Sequence, residues 1–229
     1  MSGPARGAAP GAGLLPRLAG ALLFGALFFG LAGTPGDAAV PPGGAAPNGA
    51  GPEGYGLSHA GNLLVAASGT RDPRFQKTVI LMIRHDEKGA FGLIINRAIG
   101  RVKAAALYKQ LKIAPPPDPG EVAIHYGGPV SPGAGFVVHS TETGITPEFT
   151  VGDQIGVSPT ARVLRAISRG YRPRRAIFMA GYSGWGAGQL EGEIDRGSWH
   201  TAPADIDIVF DEKLDTKWSR AKSRRVRRL

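Results

Sequence analysis

Thr78 to Arg84 (TVILMIR) and Ala90 to Asn96 (AFGLIIN) are two almost uninterrupted apolar, β-branched runs, separated by His85-Asp86-Glu87-Lys88-Gly89. Neither run has the recurring polar positions that give a surface helix its outer face, and both are short. The polar pentapeptide ends in glycine and supplies a reversal. The pair therefore predicts a β-hairpin buried on both faces, and the rest of the chain has to cover it.

The flanking sequence supplies that cover. Asn62 to Ala67 (NLLVAA) predicts a strand running into turn chemistry at Arg71-Asp72-Pro73-Arg74. Glu121 to Tyr126 (EVAIHY) and Gly135 to Ser140 (GFVVHS) predict two more strands, joined by a Gly/Pro-rich connection and able to pair with each other. Ala176 to Ala180 (AIFMA) predicts a central strand, with a Gly-rich turn and a helix over Gln189 to Ile194 after it. Ile206 to Phe210 (IDIVF) predicts the last strand. Between these, Val102 to Leu111 places Val102, Ala105, Ala106 and Leu111 at helical spacing. A second helix is expected with Ser158 as N-cap and Pro159 in its first turn, burying Val163, Leu164 and Ile167, turning Arg162, Arg165 and Arg169 outward, and ending at Gly170. Strands outnumber helices and come in adjacent pairs, so the fold class is α+β rather than a parallel α/β sheet.

The net charge of +9 raises the question of nucleic acid. Residues 1–56 balance Arg6 and Arg17 against Asp37 and Glu53, and residues 217–229 carry seven basic side chains with no acid. Taking that +7 from +9 leaves +2 for residues 57–216, so the excess reads as a tail and not a face. Such a tail is expected to be solvated, with nonspecific attraction to anionic lipid or nucleic acid. The chain has no cysteine, which excludes disulfides, thiolate nucleophiles and Cys-based zinc sites.

Before the domain, Leu18 to Ala32 is an uncharged apolar run following Arg6 and Arg17, with small residues at Gly36 and Ala38. Residues 1–39 read as a signal peptide or membrane anchor, favouring an anchored or exported protein. A start at Val40 or Leu57 is the alternative and returns the protein to the cytoplasm. Residues 40–56 are a Pro/Gly/Ala linker, residues 57–216 a single domain, and residues 217–229 the basic tail.

For chemistry, Gly181 to Glu191 is the segment of interest, since a strand followed by glycines and a helix start can present backbone N–H groups to an anion. Neither G-x-x-x-x-G-K-[ST] nor G-x-G-x-x-G is completed, and no cofactor is implied. Ser183 in G-Y-S-G-W approximates a nucleophile elbow, but Trp185 occupies the place of its second glycine. The bland alternative is that the glycines permit close backbone approach, Trp185 fills core and Ser183 satisfies a backbone group. His85, Asp86 and Glu87 with His125 and His139 do not have spacing that requires a metal, and none is assigned. His139 and Ser140 are adjacent on a strand, point to opposite faces and cannot form a dyad.

Several segments together resemble the AlgH/YqgE family: LLVA at Leu63 to Ala66, DPRF at Asp72 to Phe75, and the hairpin sequence from Thr78 to Arg97. Later come YGGPV at Tyr126 to Val130, GFVVHS, GYSGWGAGQLE at Gly181 to Glu191, and GSW at Gly197 to Trp199. The resemblance implies a mainly antiparallel, bifurcated sheet curling toward a pseudo-barrel with packed helices. Family members carry the label of transcriptional regulator, without an agreed catalytic activity, and are usually cytoplasmic. The leader and the long basic tail depart from that pattern. The expectation is thus a non-catalytic binding or regulatory module for a small anion or a protein partner. Its candidate ligand residues are Ser183, Gly184, Trp185, Gly186, Gly188 and Gln189, with His85 and Asp86. The alternative is a hydrolase-like enzyme using Ser183 or a His/carboxylate cluster.

Overall fold

The apolar hairpin is the centre of a computed structural model that describes residues 58–226 apart from Arg71 and Thr143. The leader and linker expected over residues 1–39 and 40–56 lie outside the described residues. Among the described residues no helix is long and apolar enough to cross a membrane.

Strands β1 (Asn62–Ala66), β2 (Val79–Asp86) and β3 (Gly89–Ile94) form an antiparallel meander, with Leu64 opposite Ile80 and Leu81 opposite Leu93. The period-two alternation of a strand divides the hairpin between two cores. Leu81, Ile83, Phe91 and Leu93 point into one, and Ile80, Met82, Ala90 and Ile94 into the other. Both faces are buried, as the lack of alternating polarity predicts.

After β3 come β4 (Ala98–Lys103), helix α1 (Ala104–Gln110), β5 (Glu121–Tyr126) and β6 (Val130–Ser140). Then follow β7 (Phe149–Val151), β8 (Ile155–Pro159), helix α2 (Thr160–Ser168) and β9 (Ala176–Gly186). Helix α3 (Gln189–Asp195), β10 (Trp199–Pro203), α4 (Ile206–Val209) and α5 (Leu214–Ser223) complete the chain. The main sheet runs β10-β1-β2-β3-β9-β6-β8-β7, with β4 and β5 as a side branch.

The branch point is β9. One edge pairs with β6, with Phe178 opposite Val137. The other edge is shared: its first half runs parallel to β5 at Phe178 to Ala180, and its second half antiparallel to β3 at Ser183 to Gly186. Gly127 sits in the fork, donating its N–H to the Ala180 carbonyl at 2.8 Å and accepting the Ile94 N–H at 2.9 Å. Gly128 comes so close to β9 that a Cβ there would lie 2.2 Å from the Tyr182 carbonyl carbon, and its φ of +151° also disfavours a side chain. The sheet is therefore α+β, mainly antiparallel and bifurcated. It curls until Phe91 of β3 meets Phe149 of β7, ring centroids 6.0 Å apart, without closing into a barrel.

Several local expectations are corrected. Ile206 to Phe210 is not a strand: Asp205 caps a helical turn by accepting the Asp207 N–H at 2.8 Å, and Ile208 and Val209 are buried by it. Residues 98–103 pair with β5 as strand β4, so helix α1 begins later than Val102 and buries Ala104 and Tyr108, not Val102 or Leu111. Ser158 lies within strand β8 instead of capping α2, its hydroxyl bound to His139, and Pro159 takes the N-cap position without a side-chain cap. Strands β5 and β6 do not pair with each other, since β9 lies between them. The strand at Ala176 does not stop at Ala180 but runs to Gly186.

The expected solvated tail is in large part helix. Lys217 is fully buried in α5, with Nζ donating to the carbonyls of Ile95 at 3.0 Å and Val209 at 2.8 Å. Trp218 donates its indole N–H to Ala66 at 2.9 Å, and Ala221 is buried. Those contacts tie the end of the chain to β1 and to the end of β3.

Candidate functional site

The Gly181–Glu191 segment spans a strand end, a two-residue turn and a short helix. Ser183, Gly184, Trp185 and Gly186 are opposite Gly92, Phe91, Ala90 and Gly89 in the ladder, so this backbone is engaged in the sheet. The Gly186 N–H donates to Gln189 Oε1 at 3.1 Å, and the turn itself is carried by Gly188 at a φ of +71°. Ser183 is 2% exposed, and its hydroxyl donates to the Gly127 carbonyl at 3.3 Å. A nucleophile needs access and a base that takes its proton, and this hydroxyl is turned to a carbonyl in the fork of the sheet.

The side chains of the same segment converge on a residue that sequence reading passed over. Glu193, one helical turn beyond Gln189, accepts the indole N–H of Trp185 at 2.9 Å and of Trp199 at 2.8 Å on one oxygen. Its other oxygen accepts from Gln189 Nε2 at 3.0 Å. The two indoles meet edge to face with centroids 6.3 Å apart, and Phe75 meets Trp199 at 5.7 Å. Buried indole N–H groups need acceptors, and one carboxylate serves both. The signal available in the sequence was Trp185 and Trp199 in two of the quoted motifs, flanking an acid. What the sequence does not contain is the edge pairing of β10 with β1 that brings Trp199 back.

This cluster forms one wall of a depression of about 660 Å³ between α3 and the Ala67–Phe75 connection. Its rim holds Thr70, Asp72, Arg74, Arg196 and Ser198. Arg74 is paired with Asp72 at 2.8 Å, the guanidinium holding that carboxyl below its usual range. No ion pair involves Arg196 among the described residues. The floor is thus aromatic, the carboxylate is already engaged by three donors, and the remaining charge is cationic.

His85 reaches the far side of the same helix. Its Nδ1 accepts the His59 backbone N–H at 3.0 Å, which leaves the proton on Nε2, donated to Glu191 Oε1 at 3.0 Å. His85 is 9% exposed and stacks on His59 at 5.3 Å. Asp86 accepts the Lys88 N–H and pairs with Arg84, stabilising the hairpin turn. His85 and the Gly181–Glu191 segment are thus brought together through Glu191.

The remaining histidines stand elsewhere. His139 is fully buried, donating from Nδ1 to the Ser140 carbonyl and accepting the Ser158 hydroxyl at Nε2, each at 3.0 Å. Ser140, as expected, is turned away and donates to Glu142 at 2.7 Å. The Ser158–His139 pair has the connectivity of a nucleophile and its base, but no surface to reach a substrate. Burial lowers the His139 pKa, and burial together with the Lys217 ammonium lowers that of His125 to about 4. Among the described residues no three His, Asp or Glu side chains gather at metal-ligating range.

Comparison with known proteins agrees with this architecture. Residues 63–226 match the AlgH-like family. A UPF0301 protein of Rhodospirillum rubrum is 41% identical over 164 residues, covering 72% of this chain and 85% of its own length. A UPF0301 protein of Methylocella silvestris is 42% identical over 176 residues, covering 73% and 85%. The solution structure of the AlgH protein from Pseudomonas aeruginosa superposes with a TM-score of 0.59 at 34% identity, covering 75% of this chain and 91% of that one. A match over this much of both chains, in sequence and in fold, leaves one conclusion: the chain belongs to the AlgH-like, UPF0301 family.

Proposed function

We propose that this protein is a non-catalytic binding module, and that its ligand or partner surface is the depression walled by Gln189, Glu193 and Trp199. The observation that supports this most is the contrast between the two halves of the Gly181–Glu191 segment. Its potential nucleophile, Ser183, is closed off and bound to a carbonyl, whereas its helical half lines an open cleft with an aromatic floor and Arg196, which has no ion pair among the described residues. Clefts of several hundred Å³ with an apolar wall and a few fixed polar groups are the usual form of a small-ligand site. With Glu193 engaged by three donors, the group left to recognise a ligand is the Arg196 guanidinium, which favours a carboxylate, a phosphate or an acidic side chain of a partner protein.

The Trp185 and Trp199 indole N–H resonances report directly on this cleft. Titrating ¹⁵N-labelled protein with phosphate, acetate, glutamate and an acidic peptide is expected to shift these two indole signals together with Thr70 and Arg196. Substituting Arg196→Ala is expected to abolish the shifts. Indole signals that stay fixed across the whole panel would remove the cleft as a ligand site.

A further inference from the structure

We propose that helix α2 and the loop after it form a second binding site, for a nucleotide, with the phosphate held between Arg165 and Arg169 and the base stacked on Tyr171. The near-neutral total over residues 57–216 hides a local excess. From Thr160 to Ala176 the chain carries six arginines, Arg162, Arg165, Arg169, Arg172, Arg174 and Arg175, and no acid. Two of them are committed, Arg162 to Glu148 at 2.6 Å and Arg175 to Asp207 at 3.1 Å. Arg165 and Arg169 have no ion pair among the described residues, and both are exposed.

Four residues apart, Arg165 in the last turn of α2 and Arg169 at its C-cap, these two side chains leave from the same face, and both line one depression. Helix α2 can present them because its opposite face is spent on the core through the buried Val163 and Leu164. They border a depression of about 440 Å³ whose other side is formed by Gly144, Ile145 and Tyr171. Tyr171 is 54% exposed, in contrast to the buried Tyr108. The glycine at 144 packs against its ring, where a Cβ would lie 3.8 Å away.

A flat exposed ring beside paired guanidinium groups, in a concavity and not on a flat face, matches a ligand that joins a planar base to a phosphate. Arginine supplies bidentate contacts to phosphate, and an aromatic ring stacks any base without regard to sequence. An anionic lipid surface would use the charges but not the concavity or the ring. This site shares no lining residue with the Glu193 depression, so each can fail without the other. The same chemistry is offered by a free mononucleotide and by a nucleotide unit of single-stranded RNA or DNA.

The test uses the full chain with fluorescein-labelled oligo(rA) in anisotropy titrations, and AMP, adenosine, inorganic phosphate and phosphatidylglycerol vesicles as competitors. Arg165, Arg169 and Tyr171 are all exposed, so their substitution leaves the core intact. R165Q/R169Q is expected to weaken oligo(rA) binding by about tenfold or more and to flatten its salt dependence. Tyr171→Ala is expected to weaken it roughly fivefold or more, while Tyr171→Phe retains it, since loss of one stacked base is at least that large. Competition by AMP assigns the site to free nucleotides, and binding of oligo(rA) that AMP does not displace assigns it to a polynucleotide strand. Four results would overturn the proposal. These are no binding of oligo(rA) or AMP, affinity that follows R227Q/R228Q in place of R165Q/R169Q, phosphate competing as well as AMP with Tyr171→Ala silent, and displacement by vesicles with Tyr171→Ala silent.

Discussion

Lys217 permits a quantitative test of how the C-terminal helix is held. Its ammonium is fully buried on the carbonyls of Ile95 and Val209, and burial lowers its pKa from 10.5 to about 8, against a smaller opposing pull from Asp211. In the unfolded chain the group returns to its ordinary value. Between these two values the unfolded state holds more protons than the folded state, so stability must rise with pH across that window. A shift of about 2.5 units corresponds to roughly 3 kcal/mol in total, of which about 2 kcal/mol is gained between about pH 7 and pH 9.5. The quantity to measure is a difference between two proteins, in which every group they share cancels. Urea unfolding of the wild type and of Lys217→Met at both pH values is expected to show the wild type gaining about 2 kcal/mol on the variant. Equal pH dependence of the two proteins would mean that the ammonium is solvated or already neutral. A relative loss for the wild type would mean that attraction to Asp211 outweighs burial, and either result refutes the reasoning.

Three further expectations follow from the same contacts. Gly128→Ala places a methyl against the Tyr182 carbonyl at a positive φ, so thermal unfolding should drop by several degrees or the protein should fail to fold, whereas Gly133→Ala, whose Cβ meets nothing within 4 Å and whose φ is not positive, should stay well above it in melting temperature. Glu193→Gln turns a charge-assisted acceptor of two indoles into a neutral one, which should cost about 1–2 kcal/mol in denaturant and alter tryptophan emission; unchanged stability would show that the indoles do not depend on it. Burial lowers the pKa of both His125 and His139, and for His125 the window runs from about 6.5 down to about 4; within it the unfolded state takes up more protons and stability should fall with falling pH. Differential scanning calorimetry of the wild type and His125→Phe checks this, since a variant as acid-sensitive as the wild type would contradict it.

What was legible in the sequence follows a physical pattern. The β2–β3 hairpin was readable because both of its faces are buried, which leaves no polar alternation to misread. Ile206 to Phe210 was misread because four residues of apolar character suit a strand or a single helical turn equally, and only the Asp205 cap decides between them. The full length of β9 is hidden by Gly181, Gly184 and Gly186, which look like turn residues; two of them instead make room for close neighbours, Gly181 for the Gly128 carbonyl and Gly184 for the ring of Tyr182 on the same strand. A buried lysine cannot be told from a solvated one in a basic run, so the part of α5 from Lys217 onward reads as tail. In the same way a net charge summed over a whole domain conceals six arginines gathered within one helix and its following loop. Of the candidate site, Gln189 and Trp185 were singled out for backbone reasons, while Glu193, which joins them to Trp199, becomes visible only when β10 returns beside β1.

Because β9 supplies one edge to both β5 and β3 and the other to β6, neither arm of the sheet can come apart while the rest stays paired without stripping partners from that one strand. Opening should therefore be all-or-none across the fork, with amides of Phe178 to Gly184 among the slowest to exchange with deuterium. An excursion of β4 and α1 alone would still leave β9 paired with β6 and β3, which makes that side branch the place where the molecule can breathe without unfolding.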